Sequence, residues 1–170
     1  MEASEKIKFM QIAMELAQKA FDEMETPIGA LIVKNGQIIS QAYNKREQEQ
    51  DVTLHAEMIA IREACKALSS WRLDDCDLFV NLEPCIMCAG AIQQAKIRKV
   101  YFGAPQHKSG GLISKAQIFD LDLNHKVEFE AGLLEEESQD LLSRFFVMLR
   151  EKDMSLGLSK GQRRDINKGL

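Results

Sequence analysis

Short apolar runs and stretches of helical period take turns along this chain, and that alternation admits few architectures. Apolar runs at 28–33 and 38–39 flank Asn35 and Gly36. An Asn-Gly pair so placed is a strong hairpin signal, because both residues accept the positive φ that a two-residue turn demands. Further strands are expected at 77–82, with Pro84 closing the run, at 100–102 and at 127–129. Four helices are expected between and around them. The first, 4–22, carries Phe9, Ala13, Leu16, Ala17, Ala20 and Phe21 on one stripe and is ended by Pro27. The second, 55–68, carries Met58, Ile61, Ala64, Cys65 and Leu68. A small-residue helix follows at 85–95, and a last one at 133–150 buries Leu134, Leu141, Leu142, Phe145 and Leu149. Residues 45–53 read as a polar loop with room for one turn of helix, and a long irregular segment runs through Ser109, Gly110 and Gly111. Strands alternating with helices require a sheet covered on both faces, and the opening hairpin makes that sheet mixed. The expected fold is α/β: a three-layer α/β/α arrangement around a central five-stranded mixed sheet.

Composition narrows the class. A chain of 170 residues that is 45% hydrophobic and 28% charged is neither fibrous nor wholly disordered. The longest apolar run, 28–33, is far short of the roughly 20 residues that cross a bilayer, so no membrane partner is expected. The N-terminus carries acids and no apolar h-region, so no signal peptide is expected. Four cysteines then point to a reducing compartment, the cytoplasm, and to thiols used as metal ligands or core residues. Net charge is −4, yet residues 150–170 hold six bases against three acids. The expected organisation is one domain over 1–150 and a basic C-terminal tail over 151–170. That tail reads as a solvated, frayed end, with an RNA-gripping arm as the alternative.

Two short stretches carry chemistry: His55-Ala56-Glu57 and Pro84-Cys85-Ile86-Met87-Cys88, each where the chain enters a helix. Together they supply one imidazole and two thiols. Three protein ligands with one position open is the pattern of a catalytic zinc, whereas a structural site closes with a fourth ligand. Cys85 and Cys88, three apart in a first helical turn, share a face. The partial positive charge of a helix N-terminus biases their thiols toward thiolate. Glu57 is placed to move a proton, and burial should raise its pKa into the working range. A redox Cys-x-x-Cys pair would have no use for the His-x-Glu, and a structural zinc none for Glu57. Cys65 and Cys76 read as core or near-surface thiols, and His107 and His125 as loop residues without assigned chemistry. Soft thiolate ligands and the absence of any redox need favour zinc over iron.

These stretches resemble the zinc-dependent cytidine/deoxycytidylate deaminase superfamily, and within it the bacterial tRNA adenosine deaminases. The resemblance rests on Thr26-Pro27-Ile28-Gly29-Ala30, Tyr43-Asn44, His55-Ala56-Glu57-Met58 and Trp71-Arg72-Leu73. It continues through Leu82-Glu83-Pro84-Cys85-Ile86-Met87-Cys88-Ala89-Gly90-Ala91, Tyr101-Phe102-Gly103-Ala104, Asn124-His125 and Phe145-Phe146. It implies a cytidine-deaminase-like fold, a homodimer, and one zinc ion per subunit held by His55, Cys85 and Cys88. The activity it implies is hydrolysis of adenosine 34 in a tRNA anticodon stem-loop to inosine, with ammonia released. In the general scheme for base deaminases, itself drawn in part from this family, the adenine is flipped out and water adds at C6. Glu57 would then deliver a proton to N1. By the same resemblance Asn44 would bond the nucleoside, Pro27 and Ile28 would line the pocket, and the backbone at Ala56 would help read the base. Taken alone, Asn44 reads instead as a turn residue at the end of a strand. Lys108, Phe146 and Arg150 stand where the family meets the anticodon loop, and an aromatic with flanking cations suits single-stranded RNA. The chain departs from the family pattern at Pro105, Gln106, His107 and Val147, on the RNA side rather than the metal side. A deaminase of a free base or nucleoside, using the same chemistry, is the alternative.

Overall fold

A computed structural model describes residues 1–157. Helix α1 (Ala3–Asp22) precedes the hairpin of β1 (Gly29–Lys34) and β2 (Gln37–Tyr43). A four-residue helix α2 (Arg46–Glu49) leads to α3 (Ala56–Ala67), β3 (Cys76–Leu82), α4 (Ile86–Gln94) and β4 (Lys99–Ala104). A 3-10 turn at Ile118–Asp120, β5 (Glu128–Ala131) and α5 (Glu135–Ser155) complete the order. The five strands form one sheet in the order β2-β1-β3-β4-β5. β1 is antiparallel to β2 and β3, while β3, β4 and β5 run parallel. The mixed five-stranded sheet expected from the alternation is the one found. The hairpin turn is also as expected, with Asn35 at φ 51° and Gly36 at φ 76°. A bulge between Ile32 and Val33 shifts the β1–β2 register, a detail without a sequence signal.

Both faces of the central strands are apolar, and the pleat divides them. Ala30, Ile32, Leu78, Val80, Val100 and Phe102 point to the α3–α4 side, where Ala56, Ala60, Ala64, Ala89 and Ile92 complete the larger core. Leu31, Val33, Phe79 and Tyr101 point the other way, onto Met10 and Ala13 of α1. Residues two apart share a face, so a continuous run of apolar residues serves two layers at once. Phe79 and Tyr101, in register on adjacent parallel strands, stack with ring centroids 4.5 Å apart and planes 9° from parallel. Such a pair is worth about 0.5–1.5 kcal/mol beyond its buried area. On α1 the buried stripe is Met10, Ala13, Ala17 and Ala20 rather than one led by Phe9, which packs at the core's margin against Phe79.

The C-terminal helix passes the expected domain edge at 150 and runs to Ser155. Leu156 and Gly157 close it, with Gly157 at φ 65° and its N–H donating to the Met154 carbonyl at 3.1 Å. Glycine in the left-handed region just past the last turn is a common helix stop. The start of the expected tail is therefore helical, and the tail from 158 onward lies outside the described residues. Cys76 is buried at the start of β3 and Cys65 is half-buried, as expected of thiols without a ligand role. His125 is more tied down than a loop residue needs to be. Its ring pairs Nε2 with the Ile97 carbonyl at 2.8 Å, its own carbonyl accepts from Gln93 Nε2, and neighbouring Asn124 accepts from Lys96 Nζ at 2.7 Å. These bonds fasten the far end of the irregular segment to the exit of α4.

Candidate active site

The entrances of α3 and α4 come together, bringing their first residues into one cluster. His55 is the N-cap residue of α3 and Cys85 the N-cap of α4, both with extended backbone, and Cys88 lies three residues inside α4. Cys85 thus stands at the helix boundary, one position before the first turn expected to hold it. The Nδ1 of His55 is 3.6 Å from each of the two sulfurs, and the three ligand atoms lie within 4.8 Å of one another. Zinc bonds of about 2.05 Å to nitrogen and 2.3 Å to sulfur at a tetrahedral angle require an N···S separation of roughly 3.5 Å. The residues present therefore fit the ion expected from the donor set.

Glu57, in the first turn of α3, is 3% exposed, and its Oε2 has no hydrogen-bond partner among the described residues. Burial is the chief reason its pKa is pushed up to about 7, and the negative charge of Cys85 adds to the effect. Cys85 is drawn down to about 4, chiefly by the hydrogen bond from the Cys88 thiol and then, against burial, by that from His55. Cys88 is pushed up because it donates to Cys85 and is itself buried. His55 is raised, first by its bond to Cys85, while burial and, less strongly, the charge of Arg46 on α2 oppose the rise. Cys85 is thus biased toward thiolate, the form that binds a metal ion. An orphaned acid oxygen beside three soft donors can move a proton to and from a molecule bound next to the ion.

The residues assigned to the nucleoside are gathered by a second set of buried polar groups. Asn81 on β3, 0% exposed, accepts from the Gly29 N–H at 2.9 Å and donates to the Pro27 carbonyl at 3.0 Å. It holds Pro27, buried, and Ile28, half-buried, at the start of β1. Asn44 follows β2, its N–H donating to the Ile28 carbonyl at 3.0 Å. It is 2% exposed, and among the described residues its Oδ1 is without a partner. Ala56 is buried in the first turn of α3, where backbone N–H groups have no helical acceptor. Asn81 read only as a strand residue in the sequence, since its two partners lie 52 and 54 residues away.

Glu83 is the other residue sequence reasoning passed over, although it belongs to the stretch that carries the cysteines. Its carboxylate is 1% exposed and accepts from the N–H groups of Gln106 (2.9 Å), Leu112 (3.0 Å), Ile113 (2.8 Å) and Ser114 (3.0 Å), and from the Ser114 hydroxyl. Burial alone would raise its pKa, but the Ser114 hydroxyl and these N–H groups outweigh burial and hold it below the ordinary value. The irregular segment is thus wrapped around one anion. Its Gly110 pairs with Cys85 as an isolated β-bridge, and the Gly111 N–H donates to the Pro84 carbonyl at 2.8 Å. A Cβ at Gly110 would sit 2.4 Å from the Glu83 carboxylate, which five donors prevent from moving aside. Gly110→Ala should therefore cost about 1–3 kcal/mol, checked by chemical denaturation.

Lys108, two residues before Gly110, is exposed, with its Nζ 6.0 Å from the centre of the Phe146 ring. Phe146 is 43% exposed, and Arg150, one helical turn further along α5, is exposed as well. The structure brings the first two together and places the third on the same side of α5.

Comparison with known proteins agrees with this geometry. Residues 3–104 match the cytidine and deoxycytidylate deaminase zinc-binding region. A tRNA-specific adenosine deaminase of Aquifex aeolicus is 49% identical over 143 residues, 84% of this chain and 94% of that protein. One of Bacillus subtilis is 48% identical over 85% of this chain and 90% of its own length. A solved structure from work on A-to-I editing by tRNA:A34 deaminases at the wobble position superposes with a TM-score of 0.77. It shares 42% identity and covers 79% of this chain and 99% of its own. Three donors at zinc spacing, a buried free acid beside them and this similarity agree: the chain belongs to the cytidine and deoxycytidylate deaminase zinc-binding family, in the branch occupied by its tRNA-specific adenosine deaminase relatives.

Proposed function

We propose that the chain is a zinc-dependent hydrolase that converts adenosine 34 of a tRNA anticodon loop to inosine, releasing ammonia. The observation that carries the reading is the unpartnered Oε2 of Glu57, buried beside the His55–Cys85–Cys88 donors. It is joined by near-full-length similarity to tRNA-specific adenosine deaminases. His55, Cys85 and Cys88 would hold one zinc per subunit, and bound zinc supplies Lewis acidity toward water at the open fourth position. Glu57 takes a proton from the attacking water and passes it to N1 of the adenine. C6 gains a hydroxyl, Glu57 carries that hydroxyl's proton to the amine, and ammonia leaves as the C6–N bond breaks and the C6 carbonyl forms. Asn44, Pro27, Ile28 and the Ala56 backbone hold the flipped nucleoside. Lys108, Phe146 and Arg150 contact the loop around it, one ring for a base and two cations for phosphates. Residues 1–150 serve as the catalytic domain, whose last helix carries on to Ser155 in the basic extension over 151–170, and the protein acts where tRNA is found, in the cytoplasm. Among the described residues no helix is long and apolar enough to cross a membrane.

The decisive experiment supplies purified protein with an anticodon stem-loop bearing adenosine 34. Parallel reactions contain adenine, guanine, cytosine and their nucleosides. Inosine in the RNA with inert small molecules is expected. Ammonia from a free base with untouched RNA would overturn the assignment in favour of a small-molecule deaminase. Lys108→Ala should weaken stem-loop binding most at low salt and flatten its salt dependence, with zinc content unchanged. Equal low-salt affinities would remove Lys108 from the interface.

A homodimer belongs to the same reading. Ile86 is 51% exposed at the start of α4, and a Cβ placed on Gly90 would meet nothing within 4 Å. The small residue is therefore not required by packing within the chain and suits close approach of a second copy. Sedimentation should give twice the 19.2 kDa chain mass.

A further inference from the structure

Glu25 is 0% exposed, and among the described residues no basic side chain is bonded to it. A buried acid costs several kcal/mol unless its oxygens are satisfied, so its partners show what it is for. Oε1 accepts from the backbone N–H of Gln48 at 2.7 Å, and Oε2 from the Asn44 side-chain amide at 3.4 Å. Its own N–H donates to the Ala20 carbonyl at 2.9 Å, tying it to the end of α1. One side of the carboxylate thus fastens α2, and the other faces Asn44.

A carboxylate offers only acceptors, so it can meet only the NH₂ end of the Asn44 amide. The Oδ1 end must then point away from Glu25, and that atom is the buried one left without a partner. We infer that Glu25 is a positioning residue that fixes the Asn44 amide so that it presents an acceptor, not a donor, to a hydroxyl or N–H of the bound nucleoside. The inference rests on the proposed role of Asn44 in holding that nucleoside. It adds which end of the amide the site shows, and the group responsible for the choice.

Glutamine in place of Glu25 separates this role from mere packing. Its Oε1 can still accept from Gln48 N–H, which leaves its NH₂ facing Asn44. Asn44 must then turn its oxygen inward and show a donor where the substrate expects an acceptor. Glu25→Gln should lower kcat/KM for the stem-loop by about 10–100-fold, the scale on which a mispaired buried polar group is rejected. Zinc content should stay unchanged and Tm should move by no more than a few degrees. The paired exchange Glu25→Gln with Asn44→Asp restores the pattern. The carboxylate introduced by Asn44→Asp has one oxygen to accept from the new glutamine amide and another to face the substrate. The pair should recover at least about fivefold of the loss. Glu25→Gln within twofold of wild type, a loss explained by the unfolded fraction, or a loss that Asn44→Asp leaves unrelieved would overturn the inference. Failure of the underlying reading looks different. There the wild type leaves the stem-loop unedited, or Asn44→Ala edits it as fast as wild type does.

Discussion

Glu57→Gln should abolish most turnover, by about 10²–10⁴-fold, while the protein keeps its zinc. The amide matches the carboxylate in shape, so α3 and the first-turn packing survive, and His55, Cys85 and Cys88 retain their 3.6 Å spacings. What is lost is the only group in the cluster that combines burial, a free oxygen and a pKa near 7. A thiol cannot replace it, because both sulfurs face His55 and would be committed as ligands. Metal analysis and single-turnover editing of the stem-loop should be run on the same preparation. Zinc-free protein would show Glu57 to be needed for metal retention, and undiminished turnover would place the proton shuttle elsewhere.

Glu83→Ala should be the most damaging substitution for stability outside the apolar core. It strips the acceptor from four backbone N–H groups and a hydroxyl at once. Buried donors left unpaired cost about 1–3 kcal/mol each, partly recovered where water enters. A net loss of about 3–5 kcal/mol, or roughly 10–15 °C in Tm, is expected for a domain of this size. Hydrogen exchange should accelerate first at Leu112, Ile113 and Ser114, and stem-loop binding should weaken because Lys108 rides on the freed segment. Unchanged exchange at those amides would show that the segment is held by other means. The wild type should show the same weakness in acid. Folding lowers the Glu83 pKa below its ordinary 4.5, so its contribution is complete above that value and fades as pH falls through the lower folded-state value.

Both residues were in plain view in the sequence, yet only one was read. Glu57 sits two residues from a ligand, on the same helix turn, so local spacing reveals it. Glu83 sits equally close to Cys85, but its meaning lies 23 to 31 residues downstream, in amides that carry no side-chain signature. Asn81 and Glu25 share that fate, since neither a polar residue inside an apolar strand nor one acid among several announces its partner. The passage of α5 to Ser155 had a signal in Leu156-Gly157 that a fading apolar stripe concealed.

The residue pattern by itself determined the alternation of layers, the hairpin at Asn35-Gly36 and the two short stretches that carry His55 and the Cys85–Cys88 pair, because each depends on neighbours within a few positions. Only the folded chain decided that His55 meets the two sulfurs and which buried acids hold loops. Hydrogen bonds between distant segments exist only after the sheet has brought those segments together.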